Sequence, residues 1–168
     1  MKKVLFGITL GIVVAAAPAF GGSDTENVGV SATVVSSCSI TATSSVAFGD
    51  YDALSATAND ATGSISVACS VGSSPKIWLG QGANAGGGST EAVPVRRMND
   101  GGTNYLGYQL YQENGRTNVW GATDLSSPAA LTAASLDAVT STIYGRIPIN
   151  QLSTVGAYTD TVLATINF

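Results

Sequence analysis

Short apolar runs that alternate with polar residues, each cut off by a cluster of turn formers, constrain this chain more than any other feature. The clearest run reads Tyr-Thr-Asp-Thr-Val-Leu-Ala-Thr-Ile-Asn-Phe from Tyr158 to Phe168. Val162, Ala164, Ile166 and Phe168 share one face, and Thr161, Leu163, Thr165 and Asn167 share the other. The same period of two spaces Val28, Val30, Ala32 and Val34, with Gly29, Ser31 and Thr33 between them. It recurs at Ile65, Val67 and Cys69, at Leu106, Tyr108 and Leu110, and at Ile143, Gly145 and Ile147. Ile77-Trp78-Leu79 forms a further run after Pro75, and Ser37-Cys38-Ser39-Ile40 continues or restarts a strand after a kink. Asn99-Asp100-Gly101-Gly102 marks a turn. Glu113-Asn114-Gly115-Arg116 carries a hairpin signal, with Val119-Trp120 starting the return strand. Gly80–Thr90, with five glycines, reads as a loop that lacks the ending of a phosphate-cradling loop. Ser126–Ser135 has no clear period, although a short helix would fit. About seven short strands joined by turns predict an all-β sandwich. No repeat or linker divides the chain, and its 168 residues suit one domain. No turn and return strand follow Phe168 to cover the edge of the last strand.

The N-terminus reads as an export leader. Lys2 and Lys3 precede an apolar run from Val4 to Ala17, too short to span a bilayer comfortably. Small residues around Ala17-Pro18-Ala19 and Ala19-Phe20-Gly21 place cleavage near Ala19–Gly22. Removing the two lysines leaves five basic against 11 acidic residues, so the exported chain carries 5 − 11 = −6. An acidic balance disfavours a nucleic-acid partner. Export places Cys38 and Cys69, the two cysteines of the chain, in an oxidising compartment, where one structural disulfide is the natural pairing. A loop of this length is stabilised by roughly 3.5–4 kcal/mol in the chain-entropy account. The chain has no His, which removes Ser-His-Asp and Cys-His triads and imidazole acid–base chemistry.

The alternating strand before Cys38 is followed by Phe48-Gly49 and Gly63-Ser64-Ile65-Ser66-Val67-Ala68-Cys69. Next come Arg97-Met98-Asn99, Tyr108-Gln109-Leu110-Tyr111, Trp120-Gly121 and Tyr144-Gly145-Arg146-Ile147. Gly156-Ala157-Tyr158-Thr159-Asp160-Thr161 and the terminal Asn167-Phe168 complete the series. In this order and spacing, from Val28 to Phe168, the chain resembles the spore coat protein U family, which includes the subunits of archaic chaperone–usher pili of the Csu type. Gly80–Thr90 and Ser126–Ser135 match nothing in that pattern. The resemblance implies an incomplete immunoglobulin-like β-sandwich that lacks its final strand and is completed by donor-strand complementation. A periplasmic chaperone fills the groove first, and the N-terminal extension of a neighbouring subunit fills it next.

On that basis the expected organisation is a signal peptide over 1–21, a donor-strand extension over 22–36 and an incomplete immunoglobulin-like pilin domain over 37–168. Val28, Val30, Ala32 and Val34 are the expected donor residues. Val162, Ala164, Ile166 and Phe168 are expected to line the acceptor groove and meet the chaperone. The alternative for Val28–Val34 is the first strand of its own domain. The expected function is a structural pilus subunit that polymerises head to tail at the cell surface, supporting attachment and biofilm formation. Its partners would be identical or related subunits, a chaperone and an outer-membrane usher, with no cofactor and no enzymatic activity. A spore-coat structural protein is the alternative within the family.

Other readings compete. Asp50, Asp52 and Asp60 would serve a glycoside hydrolase or bind calcium if held together, but Asp50-Tyr51-Asp52 lies in a turn region where Asp bonds local backbone. The spacing and glycine of a calcium-binding EF-hand are absent. Trp78, Trp120, Tyr105, Tyr108 and Tyr111 would make a sugar platform for a carbohydrate-binding module, although aromatics at strand spacing mostly pack the core. Arg96-Arg97 beside a turn reads as a solvated pair.

Overall fold

The computed structural model describes residues 21–123 and 132–168. Most of the expected leader, and the expectation for residues 126–131, lie outside the described residues. The chain divides into two units, 1–33 and 34–168. Of the first, residues 21–33 form no helix or strand, and Val28 and Val30 are 86% and 91% exposed. The alternation of Val28–Val34 is therefore not realised as a strand in the single chain: a strand needs a neighbour for its N–H and C=O groups.

Among its described residues the second unit holds seven strands: β1 (Cys38–Ser44), β2 (Asn59–Cys69), β3 (Lys76–Leu79), β4 (Arg96–Asn99), β5 (Tyr105–Tyr111), β6 (Val139–Ile147) and β7 (Ala164–Asn167). Every pairing is antiparallel. One sheet runs β1-β2-β6-β5-β4, and the other pairs β3 with β7. Among the described residues there is no helix, and residues 132–135 form none either. The all-β class follows from the period of two: β2 buries Ile65, Val67 and Cys69, β5 buries Leu106, Tyr108 and Leu110, and β6 buries Ile143 and Ile147. Ile77, Leu79 and the fully buried Trp120 complete the core. The Trp120 indole N–H donates to the Ile77 carbonyl at 2.8 Å, which satisfies its polar edge.

Cys38 faces Cys69 at the end of the β1–β2 ladder, and the two form a disulfide with a Cα–Cα distance of 4.1 Å. This ties the exposed edge strand β1, mostly Ser and Thr, to the core strand β2.

Four expectations need correction. The last strand is regular only over Ala164–Asn167, because residues 158–163 bond to the end of β4 at Asn99 and to the loop residues Gly80 and Ala83 rather than to one continuous strand. The return strand at Val119-Trp120 shrinks to a single bridge between Tyr111 and Val119. The hairpin loop is wider than two residues, and Arg116, not Gly115, takes the positive φ of 53°. Arg96 is not solvated: it is 1% exposed. Its guanidinium donates to the carbonyls of Leu79, Gly80 and Trp120 and to Gln109 Oε1. Burial pushes its pKa down to about 10. Arg97 lies 3.9 Å over the Tyr105 ring and donates to the carbonyls of Asn84 and Ala85.

Candidate functional site

Two adjoining cavities, of about 520 and 1020 Å³, together form a long slot over the core. They share Val46, Phe48, Met98 and Tyr158. Residues 43–53 form one rim and residues 153–164 the other. Ile65, Leu79, Leu110 and Ile143 lie under the first cavity, and Leu106 and Ile147 under the second. The slot floor is therefore the hydrophobic core itself.

The rim 153–164 is bonded along one edge. Asn99 and Thr159 exchange both backbone hydrogen bonds, the Ala83 amide donates to Thr161 O at 3.0 Å, and the Gly80 amide donates to Leu163 O at 2.9 Å. All of these use odd-numbered residues of the rim. Strand geometry sends the even-numbered backbone groups to the opposite edge. Among the described residues, the N–H and C=O groups of Tyr158, Asp160 and Val162 make no backbone hydrogen bond. Val162 packs on the core beneath them. The opposite rim is partly occupied, since the carbonyls of Phe48 and Asp50 accept from Asn59 Nδ2. An apolar trough flanked by unpaired backbone is a template for an added strand.

Glycines let the rim at 45–48 sit low on the sheet. A Cβ on Gly63 would lie 2.7 Å from Ser44 O, and one on Gly145 would lie 2.5 Å from Val46 and 2.7 Å from Phe48. At the other rim, Asp160 joins the strand edge to the glycine-rich loop. Its Oδ1 accepts from the Asn84 amide and Asn84 Nδ2, and its Oδ2 accepts from the Tyr108 hydroxyl at 2.7 Å. Burial and this carboxylate both raise the Tyr108 pKa, so the phenol stays protonated and donating. Gly82 approaches Asp160 so closely, at φ 87°, that a Cβ would collide with the carboxylate. The loop Gly80–Thr90, which matched no family pattern, thus anchors one wall of the slot.

Of the residues expected in an acceptor groove, Val162 and Ala164 line the slot, and Ile166 packs on the core without lining it. Phe168 is 60% exposed and lies outside the core cluster. Ala32 and Val34 are exposed like Val28 and Val30. The rim 43–53, the Tyr108–Asp160 pair and the serines below escaped sequence reasoning. Gly63 and Gly145 were the available signal, because glycine inside a strand marks close backbone approach.

The competing sites do not assemble. Asp60 pairs with Arg146, at 2.7 and 2.8 Å, and with Arg116 at 3.3 Å. The Arg146 hydrogen bond holds the Asp60 carboxyl below its ordinary pKa. Asp52 caps the Leu54 amide. No three His, Cys, Asp or Glu side chains cluster among the described residues. Trp120 and Tyr108 are buried and Tyr105 is stacked under Arg97, so the five aromatics present no common face.

Comparison with known proteins agrees with this architecture. The model of the Spore Coat Protein U domain matches residues 24–165. Protein U of Myxococcus xanthus is 41% identical over 166 residues, covering 93% of this chain and 91% of the relative. Among solved structures, the fold resembles a chain in the CsuC–CsuE chaperone–tip adhesion subunit pre-assembly complex from archaic chaperone–usher Csu pili of Acinetobacter baumannii. The TM-score is 0.55 at 20% identity, with 81% of this chain covered. This chain spans 40% of that chain's length. At that identity the likeness concerns the fold alone, an incomplete immunoglobulin-like sandwich. The match across residues 24–165 and the identity to Protein U establish that this chain belongs to the spore coat protein U domain family.

Proposed function

We propose that this chain is an exported structural subunit that polymerises head to tail by strand addition. The arm residues Val28, Val30, Ala32 and Val34 of one copy fill the slot of the next. The observation that carries this reading is the slot itself: an open backbone edge at Tyr158, Asp160 and Val162 beside a cavity that reaches down to core residues, in a chain that also carries an exposed alternating arm. Burying three valines contributes roughly 5–9 kcal/mol before association costs, and the strand ladder adds register. A slot of this kind invites aggregation, so a chaperone that occupies it before assembly and an usher that passes the subunit outward fit its chemistry. Contacts between two different surfaces build fibres rather than closed rings. The product is a cell-surface pilus that supports attachment and biofilm formation. The match to the Spore Coat Protein U domain favours a second setting for the same polymer, a spore coat.

The test is Val30→Asp in the full chain, beside deletion of residues 25–34. Both variants should yield monomers by light scattering while the parent forms oligomers that resist detergent. Persistent oligomers in the deletion variant would exclude the arm as donor.

A further inference from the structure

Building on the strand-addition reading, we infer that consecutive copies also touch body to body. An apolar collar at the mouth of the slot, formed by Leu54, Leu152 and Val155, packs against an apolar corner at the base of the arriving arm, formed by Val35, Val71 and Leu136.

The first ground is the absence of slack. The alternating arm ends at Val34, and the next residue is already fastened to its own body. Ser70 Oγ lies 3.3 Å from the Val35 carbonyl, and the Ser37 amide donates to Ser70 Oγ at 2.9 Å. Ser70 Oγ and Ser36 Oγ bond Ser73 Oγ at 2.9 and 2.8 Å, and Ser73 is buried. The Ser70 amide donates to Ser37 O at 2.8 Å, one residue before the disulfide. The hydroxyl protons can run Ser36 to Ser73 to Ser70 to Val35 O, so each is used once. One residue spans at most about 3.6 Å. A neighbour that holds Val34 in its slot therefore stands directly against this corner.

The second ground is direction. Residues 43–53 lead from the first cavity to the second, and residues 153–164 lead back, so an added strand is antiparallel to only one rim. The open backbone lies on Tyr158–Val162, whereas Phe48 O and Asp50 O are already engaged. Antiparallel pairing is the more stable per residue and is the pairing of every ladder in the described body, so the strand runs antiparallel to 153–164, entering beside Thr43 and Ala164 and leaving beside Ala53 and Ser153. Val34 then emerges at the collar.

The third ground is the character of the two surfaces. Leu54, Leu152 and Val155 are 95%, 105% and 108% exposed, and Val35, Val71 and Leu136 are 71%, 61% and 73% exposed. The collar stands on a fixed base: the Tyr51 hydroxyl donates to Pro148 O and accepts from the Gln151 amide, and Gln151 bonds both backbone groups of Gly107. Each patch is left in water by a lone copy and covered when two copies meet.

The experiment places Leu54→Asp with Leu152→Asp, neither of which lines the slot, in the full chain. Polymer dissociation in guanidinium is compared with the parent, and binding of a synthetic peptide of residues 22–34 is measured in a Val30→Asp background, whose own arm cannot insert. Dissociation at least ten-fold faster, with peptide affinity within two-fold, is expected. Pairing Leu54→Lys and Leu152→Lys with Val71→Asp and Leu136→Asp in one chain should restore slow dissociation. Unchanged dissociation, or peptide affinity falling as far as polymer stability, overturns the body contact. Failure of the peptide to bind the slot of the Val30→Asp protein with its collar intact overturns the strand-addition reading, and this contact with it.

Discussion

Gly145 shows how one side chain's absence shapes the site. It pairs with Leu110 and Ala61 in the sheet, while Val46 and Phe48 lie over the place where its Cβ would be. Gly145→Ala should displace the 45–48 rim and destabilise by about 1–3 kcal/mol, the usual cost of overpacking. Thermal unfolding measures it, with Gly22→Ala, which meets nothing within 4 Å, as the control. Glu113 organises a different turn: its Oε1 accepts from the Thr117 hydroxyl and from the amides of Thr117 and Asn118. These bonds, led by the Thr117 hydroxyl, hold its pKa down to about 2, from the ordinary 4.5. The folded form therefore binds fewer protons than the unfolded form between those values. Its stabilisation is complete above pH 4.5 and is lost as pH falls towards 2. Glu113→Gln should flatten that part of the stability profile, read by denaturant titration at successive pH values. The hairpin signal around Asn114-Gly115 was legible in the sequence. The carboxylate that closes the wider loop was not, because its partners are chosen by the turn the backbone takes.

Among the elements, β1 depends most on its attachments. Its residues are mostly exposed, and it sits at the edge of the five-stranded sheet. Its ladder to β2 shifts register between Ile40 and Ala42, and the disulfide closes the end at Cys38. Replacing both cysteines with Ala should lower stability by about 2–5 kcal/mol. The denaturant midpoint of the parent should fall equally when reductant is added, and agreement between the two measurements checks the disulfide as the cause. Strands β2, β5 and β6 were plain from alternation because each buries one face against the other sheet. The stretch from Tyr158 to Val162 alternates equally well yet is no regular strand. Its hydrogen bonds go to Asn99, the last residue of β4, and to Ala83, in a glycine-rich loop whose composition gives no sign that it would serve a strand edge.

At the scale of the whole molecule, the second unit presents a sandwich with one trough lined at its floor by core residues. If that trough accepts a strand, the Tyr158, Asp160 and Val162 amides should exchange with solvent rapidly in the Val30→Asp monomer. Adding a peptide of residues 22–34 should slow them at least ten-fold, and amide exchange read by NMR reports it. Exchange already slow without peptide would count against an open edge. The all-β class, the pairing of Cys38 with Cys69 and the valine alternation of the arm could be derived from the chain alone, because period, composition and cysteine count are local properties. The slot could not. Its rims come from residues a hundred or more positions apart, its floor from four strands, and its low wall from two glycines that matter only where Val46 and Phe48 cross them. Whether a backbone edge is left open depends on which segments reach it first, and that competition is decided when the sheets close over the core.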